Sequence, residues 1–307
     1  MKEKILYLLC LLSFATTTLQ AQESTLPTDY GFPENTIKAQ VMYATFNIPQ
    51  QHFVQKLVQE TYIFYKGRLT KYQYQDKTNN RNTEQNYTYK NSQLKSMEMV
   101  QQSISGMEYI TFKYRKETEG NKTTLYKIYP TGEVEKTLEF RNETGELRGT
   151  TYYDKNSNKT KYTEYGRKKG HRTKKYNNNQ PVSDILYLNN KDGKLAQIIE
   201  HTVPENEAEP KVLKTINYNE RNDPVKILQY YLTKDDGEKK LHKTYYTDYL
   251  YDGDVWVTKI EYSNDTEKLD VTIRTIVTTN RTYKPQDDKQ IISFCKQAYQ
   301  NYLKMKK

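Results

Sequence analysis

The sequence predicts an all-β protein, an extended antiparallel β-meander of repeated hairpins with a C-terminal capping α-helix. Three observations carry that prediction. Aromatic residues recur just ahead of polar turns at even spacing, and the segments between the turns alternate in polarity. Tyrosine, a strand former, occurs 30 times in 307 residues.

Tyrosine also decides whether the chain folds at all. Leucine, isoleucine, valine and phenylalanine together make up about a fifth of the residues, a proportion that points toward disorder when the net charge is as high as +10. The mean hydropathy of −1.02 agrees. Each tyrosine ring, however, buries on the order of 150 Å² while its hydroxyl stays wet. A half-exposed sheet of such rings needs no thick aliphatic core.

At the N-terminus two lysines precede an apolar run from Ile5 to Phe14, followed by small residues up to Ala21. This reads as a secretory signal over residues 1–21, too short to span a bilayer as a helix. Cys10 lies inside the apolar run rather than after it, which argues against lipidation. After cleavage Cys295 is the one cysteine left, so an intramolecular disulfide is excluded. Residues 22–38, with Pro27, Gly31 and Pro33, are expected as a flexible leader.

Residues 39–283 form the expected β domain. Within it, Pro49 to Glu60 suits a short helix as well as a strand. Tyr129, Phe140, Tyr153, Tyr165, Tyr176 and Leu188 follow at intervals of about 11 to 13 residues, the spacing of short strands and tight turns. Ile110-Thr111-Phe112-Lys113-Tyr114 and Val271-Thr272-Ile273-Arg274-Thr275 alternate as strands with one apolar face. The acidic, proline-bracketed run Val203 to Pro210 is expected to join two long strands. Over residues 284–307, Ile291, Ile292, Cys295, Ala298, Tyr299, Tyr302 and Leu303 recur at helical spacing, with Asp287 and Asp288 at the start and lysines at the end. This helix is expected to cover one open end of the sheet.

The unit of aromatic residue, polar turn with glycine, then leucine or valine appears as Tyr129-Pro130-Thr131-Gly132-Glu133-Val134, as Phe140-Arg141-Asn142-Glu143-Thr144-Gly145-Glu146-Leu147, and as Leu188-Asn189-Asn190-Lys191-Asp192-Gly193-Lys194-Leu195. It resembles the tyrosine-rich hairpin repeats of the YD-repeat and MORN-like kind, over roughly residues 62 to 262. The resemblance implies an extended meander used as a surface or shell, and it brings no catalytic residue with it.

The remaining motifs favour a binding protein over an enzyme. His52, His171, His201 and His242 stand apart with no metal-ligand spacing, so no metal and no cofactor are expected. No nucleophile elbow, phosphate loop or zinc-protease helix occurs. Asp252 and Asp254 beside Trp256 could serve a carbohydrate-active enzyme, though an Asp-Gly hairpin corner is the favoured explanation of them.

The strongest signal is basic. Lys155, Lys159, Lys161, Arg167, Lys168, Lys169, Arg172, Lys174 and Lys175 face Glu164 alone, with Tyr162, Tyr165 and Tyr176 interleaved. Arg167, Lys168, Lys169, Arg172, Lys174 and Lys175 for charge, with Tyr165 and Tyr176 for stacking, are the candidate ligand-binding residues. The expected partners are an anionic glycan, lipopolysaccharide or an envelope protein, rather than nucleic acid. An exported binding or scaffolding protein of the periplasm, outer-membrane surface or medium is the function expected, with a structural subunit of an envelope assembly as a further alternative.

Overall fold

The computed structural model describes residues 25–47, 50, 52–103, 105–166, 170–202, 211–232, 239–263 and 268–305. The signal segment lies outside them. The strands are β1 (Thr36–Asn47), β2 (His52–Tyr65), β3 (Arg68–Asp76), β4 (Arg81–Lys90), β5 (Gln93–Ser103), β6 (Gly106–Glu119), β7 (Lys122–Ile128), β8 (Val134–Arg141), β9 (Leu147–Tyr153) and β10 (Lys159–Gly166). They continue with β11 (Gly170–Asn177), β12 (Gln180–Asn189), β13 (Leu195–Thr202), β14 (Lys211–Tyr218), β15 (Pro224–Leu232), β16 (Lys239–Asp252), β17 (Val255–Ser263), β18 (Lys268–Thr278) and the two-residue β19 (Thr282–Tyr283). One helix, α1 (Asp288–Met305), follows.

Each strand pairs antiparallel with the next, as the hairpin reading requires. The end of the chain changes the architecture. β18 runs antiparallel along β1 from Thr36↔Thr278 to Asn47↔Lys268, while β1 also pairs with β2. Eighteen strands therefore close into a barrel, with β19 a short addition to β18. The expected extended meander of repeated hairpins is a closed sheet, and this closure overturns the resemblance to YD-repeat and MORN-like proteins. Pro49 to Glu60, left between helix and strand, falls largely within β2.

The turns explain why glycine is an imperfect marker of the hairpins. Five of them share one hydrogen-bond pattern, in which the first residue's N–H reaches the carbonyl four residues on and its own carbonyl accepts from the residue three on. They start at Tyr129, Asn142, Asp154, Asn190 and Asn219. This is a type I turn followed by a left-handed residue. The left-handed position is filled by Gly132, Gly145 and Gly193, but also by Ser157 (φ 63°) and Asn222 (φ 70°). The Oδ1 atoms of Asn142, Asp154, Asn190 and Asn219 accept from backbone N–H groups inside their own turns.

Alternate side chains project to the two walls. On β6, Ile110, Phe112 and Tyr114 are buried or half-buried, whereas Tyr109, Thr111, Lys113 and Arg115 are exposed. A closed sheet crowds side chains on its concave face and splays them on its convex one, so the first set faces inward. Followed through the strand registers, the inner wall carries Glu60 and Tyr62, Tyr72, Met97, Thr163, Thr173, Ile185, Tyr249 and Arg274.

Two apolar clusters lie on opposite walls of β1 and β18. On the outside, Ala44, Phe46, Ile260, Leu269, Val271 and Ile273 meet Ile291, Cys295, Ala298 and Tyr302 of α1. The helix residues form one stripe at helical spacing, and Asp287 caps the first turn by accepting from Gln290 N at 2.7 Å. The helix thus covers a side of the barrel and not the end of a sheet, because closure leaves no end to cover. Cys295 is fully buried, and burial pushes its thiol up to about 12.

On the inside, Tyr30 and Phe32 pack against Tyr62 and Phe64, with ring centroids 4.8 to 6.2 Å apart. The segment expected as a flexible leader therefore differs from expectation over its described part. It holds a 3-10 helix (Pro27–Tyr30) and the start of β1, with Phe32 5% exposed. Leu69 N bonds to Thr25 O at 2.7 Å, and Arg274 Nη2 bonds to Gly31 O at 2.6 Å. Aromatic burial and backbone pairing fix it there.

Candidate functional site

Strands β10 and β11 carry Lys159, Lys161, Arg172, Lys174 and Lys175 of the basic run, and strand alternation divides them between the two walls. Lys161↔Lys175, Thr163↔Thr173 and Tyr165↔His171 are cross-strand pairs on the inner wall. Tyr162↔Lys174 and Glu164↔Arg172 are the pairs on the outer wall. Tyr176, next after Lys175 on β11, turns outward by the same alternation. Arg167, Lys168 and Lys169 lie outside the described residues.

An open groove on the outer wall is lined by Lys159, Tyr162, Glu164, Arg172, Lys174 and Tyr176. The Lys159 ammonium lies 5.0 Å from the Tyr162 ring centroid and 4.2 Å from that of Tyr176, so the cation is held between two aromatic faces. Arg172 is committed to Asp184. Its Nε donates to Oδ1 at 2.9 Å and Oδ2 at 3.1 Å, and its Nη2 donates to Oδ2 at 2.5 Å. Hydrogen bonds from Arg172 hold the Asp184 carboxyl below the usual carboxylate range. Asp184 also borders an adjoining groove with Arg172, Leu186, Ile199 and His201.

Of the eight candidate residues, Arg172, Lys174 and Tyr176 thus share one surface. Tyr165 and Lys175 face the other way. Lys159 and Tyr162, which belong to the same groove, were visible as part of the basic run. Asp184 was not, since its link to Arg172 depends on the pairing of β11 with β12.

The chain has no matching family model, and no curated protein matches it. Among solved structures it is similar to a porin-like protein from Bacteroides uniformis ATCC 8492. The two share 11% identity and a TM-score of 0.39, over 83% of this chain and 99% of the other. At that distance nothing about function follows.

Of the two acids near Trp256, Asp252 has structural partners. Asp252 pairs with Arg281 at 2.5 Å and accepts from Lys284 N at 3.3 Å, which ties down the β19 segment. The Trp256 ring is covered by Arg274, whose guanidinium lies 3.8 Å from it, and by Tyr249 at 5.9 Å. His171 stacks on Tyr187 at 4.1 Å, and His242 on Tyr231 at 4.4 Å.

One inner-wall cluster had no sequence signal. The Glu60 carboxylate accepts from the hydroxyls of Tyr43 at 3.2 Å, Tyr62 at 2.6 Å and Tyr72 at 3.2 Å. Burial pushes its pKa up, and those hydrogen bonds pull it partly back. Three strands supply the four residues, so only the pairing of β1, β2 and β3 brings them together.

Proposed function

We propose that this barrel is an exported, non-catalytic binding or scaffolding protein of the cell envelope, whose outer wall at β10 to β12 takes acidic glycan chains. The observation that carries the reading is the groove in which Lys159, Arg172 and Lys174 surround the rings of Tyr162 and Tyr176. Flat aromatic faces pack against sugar rings, while the cations meet acidic substituents. Arg172, fixed by Asp184, holds its place on the wall. Lys159, together with Lys174, whose ammonium also lies 4.0 Å from Asp184, supplies the charge that a ligand would feel.

Charged side chains on the outer wall of β3 to β6 support a barrel that meets water there. Lys71 pairs with Glu84 at 2.9 Å on the outer wall of β3 and β4, and Glu98, Lys113 and Arg115 lie exposed along β5 and β6. A bilayer-spanning barrel presents an apolar band about 25 Å tall in that position. No described helix is long and apolar enough to cross a membrane either, which says nothing about strands.

The test is binding of the mature chain, purified without detergent, to an acidic polysaccharide, a neutral one and lipopolysaccharide at low and high salt. Acidic ligands are expected to bind preferentially, and added salt to weaken them. Reversing both Lys159 and Lys174 to glutamate is expected to reduce that affinity about tenfold, equivalent to about 1.4 kcal/mol. Equal binding by the reversed variant, or equal binding of neutral and acidic chains, contradicts the reading.

A further inference from the structure

On the inner wall behind the groove, like charges face each other across a strand pair. Lys161 of β10 stands directly opposite Lys175 of β11. Such a pairing is unfavourable when nothing lies between the charges. Lys161 is 9% exposed, and among the described residues it has no carboxylate partner. Its ammonium lies 4.9 Å from the Tyr152 ring centroid. Burial and the charge of Lys175 push its pKa down to about 7.

The surroundings add further positive charge. Lys214 reaches the same stretch of wall, where burial lowers its pKa and Lys175 lowers it further against the pull of Glu200. His171 is also held below its usual value, by burial first and by Lys161 second. The nearest acid is Glu200, 3.9 Å from the Lys175 ammonium and hydrogen-bonded by Ser183 at 3.4 Å. Glu139 is engaged by Arg141 at 3.2 Å. Lys161, Lys175 and Lys214 thus outnumber the one carboxylate that reaches this stretch of wall, beside the rings of Tyr152 and Tyr165.

We infer that this patch, centred on Lys161 and Lys175, is an anion site that takes a tetrahedral dianion, a phosphate or sulfate group, free or carried on a larger molecule. A dianion bound beside the two lysines would hold Lys161 in its charged form and offset the repulsion that the pairing imposes. The site lies on the opposite wall from the proposed glycan groove and is independent of that reading.

The experiment observes the lysine amines of the full mature chain by NMR after isotopic dimethylation, which keeps their charge. Inorganic phosphate, inorganic sulfate and a phosphorylated monosaccharide are titrated separately. The account expects a saturable shift of the Lys161 signal, with its pKa raised by about one unit or more. Response to the free ions alone indicates a free-anion site, and response to the sugar phosphate as well indicates a carried group.

Lys161→Met and Lys175→Met are each expected to weaken the saturable binding about tenfold or more. Lys175→Met should also raise the Lys161 pKa without any anion, since the repulsion is gone. If Lys161→Met fails to fold, Lys175→Met and the charge-preserving Lys161→Arg, which should keep binding, still decide the matter. A Lys161 signal that does not respond to any of the three anions overturns the inference, as does undiminished binding in Lys175→Met.

Discussion

Replacing Phe46 with alanine is expected to lower the stability of the folded chain by about 3–5 kcal/mol, the cost of a cavity left by a buried aromatic ring. Phe46 is 1% exposed and lies in the cluster that joins β1, β17, β18 and α1. Its ring meets Phe53 edge-on at 5.4 Å. The loss therefore falls on the seam where the two ends of the chain meet. Urea unfolding should show a lower midpoint with an unchanged slope. Tyr109→Ala is the control, because that ring is 72% exposed on the outer wall and its removal should cost about 0.5 kcal/mol or less. Equal losses at the two sites would mean that the seam is not the core described above.

A second large effect is expected from Asp270→Asn, and its size depends on pH. Asp270 sits opposite Glu261 on the inner wall. Burial, reinforced by Glu261 and opposed by Lys259 and Lys268, raises its carboxyl from 3.8 to about 6. A folded-state pKa above the unfolded value means that the folded chain binds the proton more tightly. This group's contribution is then fully present at acid pH and is lost as pH rises from about 3.8 to about 6. Asparagine carries no charge and avoids that loss. The variant should therefore be more stable than the parent by up to about 3 kcal/mol at pH 8 and match it below about pH 4. Chemical denaturation at both values checks this, and a variant less stable than its parent at pH 8 would contradict it.

Local features of the fold were legible in the sequence because local physics specifies them. Turn chemistry at Asn142, Asp154, Asn190 and Asn219, strand alternation on β6, and the stripe of Ile291, Cys295, Ala298 and Tyr302 all act within a few residues. Closure does not. It joins Thr36–Asn47 to Lys268–Thr278 through pairings that leave no mark on the residues between. One clue was present, since Ala39 and Val41 face one wall of β1 while Ala44 and Phe46 face the other. A strand apolar on both faces is a strand covered on both sides.

The basic run shows the same limit from the functional side. Arg172, Lys174 and Tyr176 reach one groove, but Lys175 and Tyr165 turn to the opposite wall because a strand alternates. A count of charges along the chain merges two surfaces that the fold separates. The buried Glu60 and its three tyrosines could not be found at all without the registers of β1, β2 and β3.

Tyrosine holds this low-aliphatic chain together in ways that composition alone does not reveal. Hydroxyls tie neighbouring strands, as Tyr89 does to Leu69 O at 2.7 Å and Tyr249 to Pro224 O at 3.1 Å. Rings also seat cations, as with Lys136 over Tyr153 at 4.7 Å and Arg115 over Tyr126 at 4.4 Å. Most of the wall is thereby both folded and wet.

Closure of the barrel through β1 and β18 is the claim on which the inner wall, the seam and both proposed sites depend. Gln40 and Thr275 are direct cross-strand partners on the outer wall. Opposed residues in an antiparallel pair lie about 4.5–5.5 Å apart at Cα, within reach of a disulfide. Cysteines at these two positions, in a chain with Cys295→Ala, should form an intramolecular disulfide in the monomer, seen by peptide mapping. Glu98 and Thr111, paired in the β5–β6 hairpin, provide the reference that forms whether the sheet is open or closed. The closed barrel predicts efficient crosslinking of both pairs; a chain that links 98 to 111 but leaves 40 and 275 as free thiols, or joins them only between molecules, would contradict it.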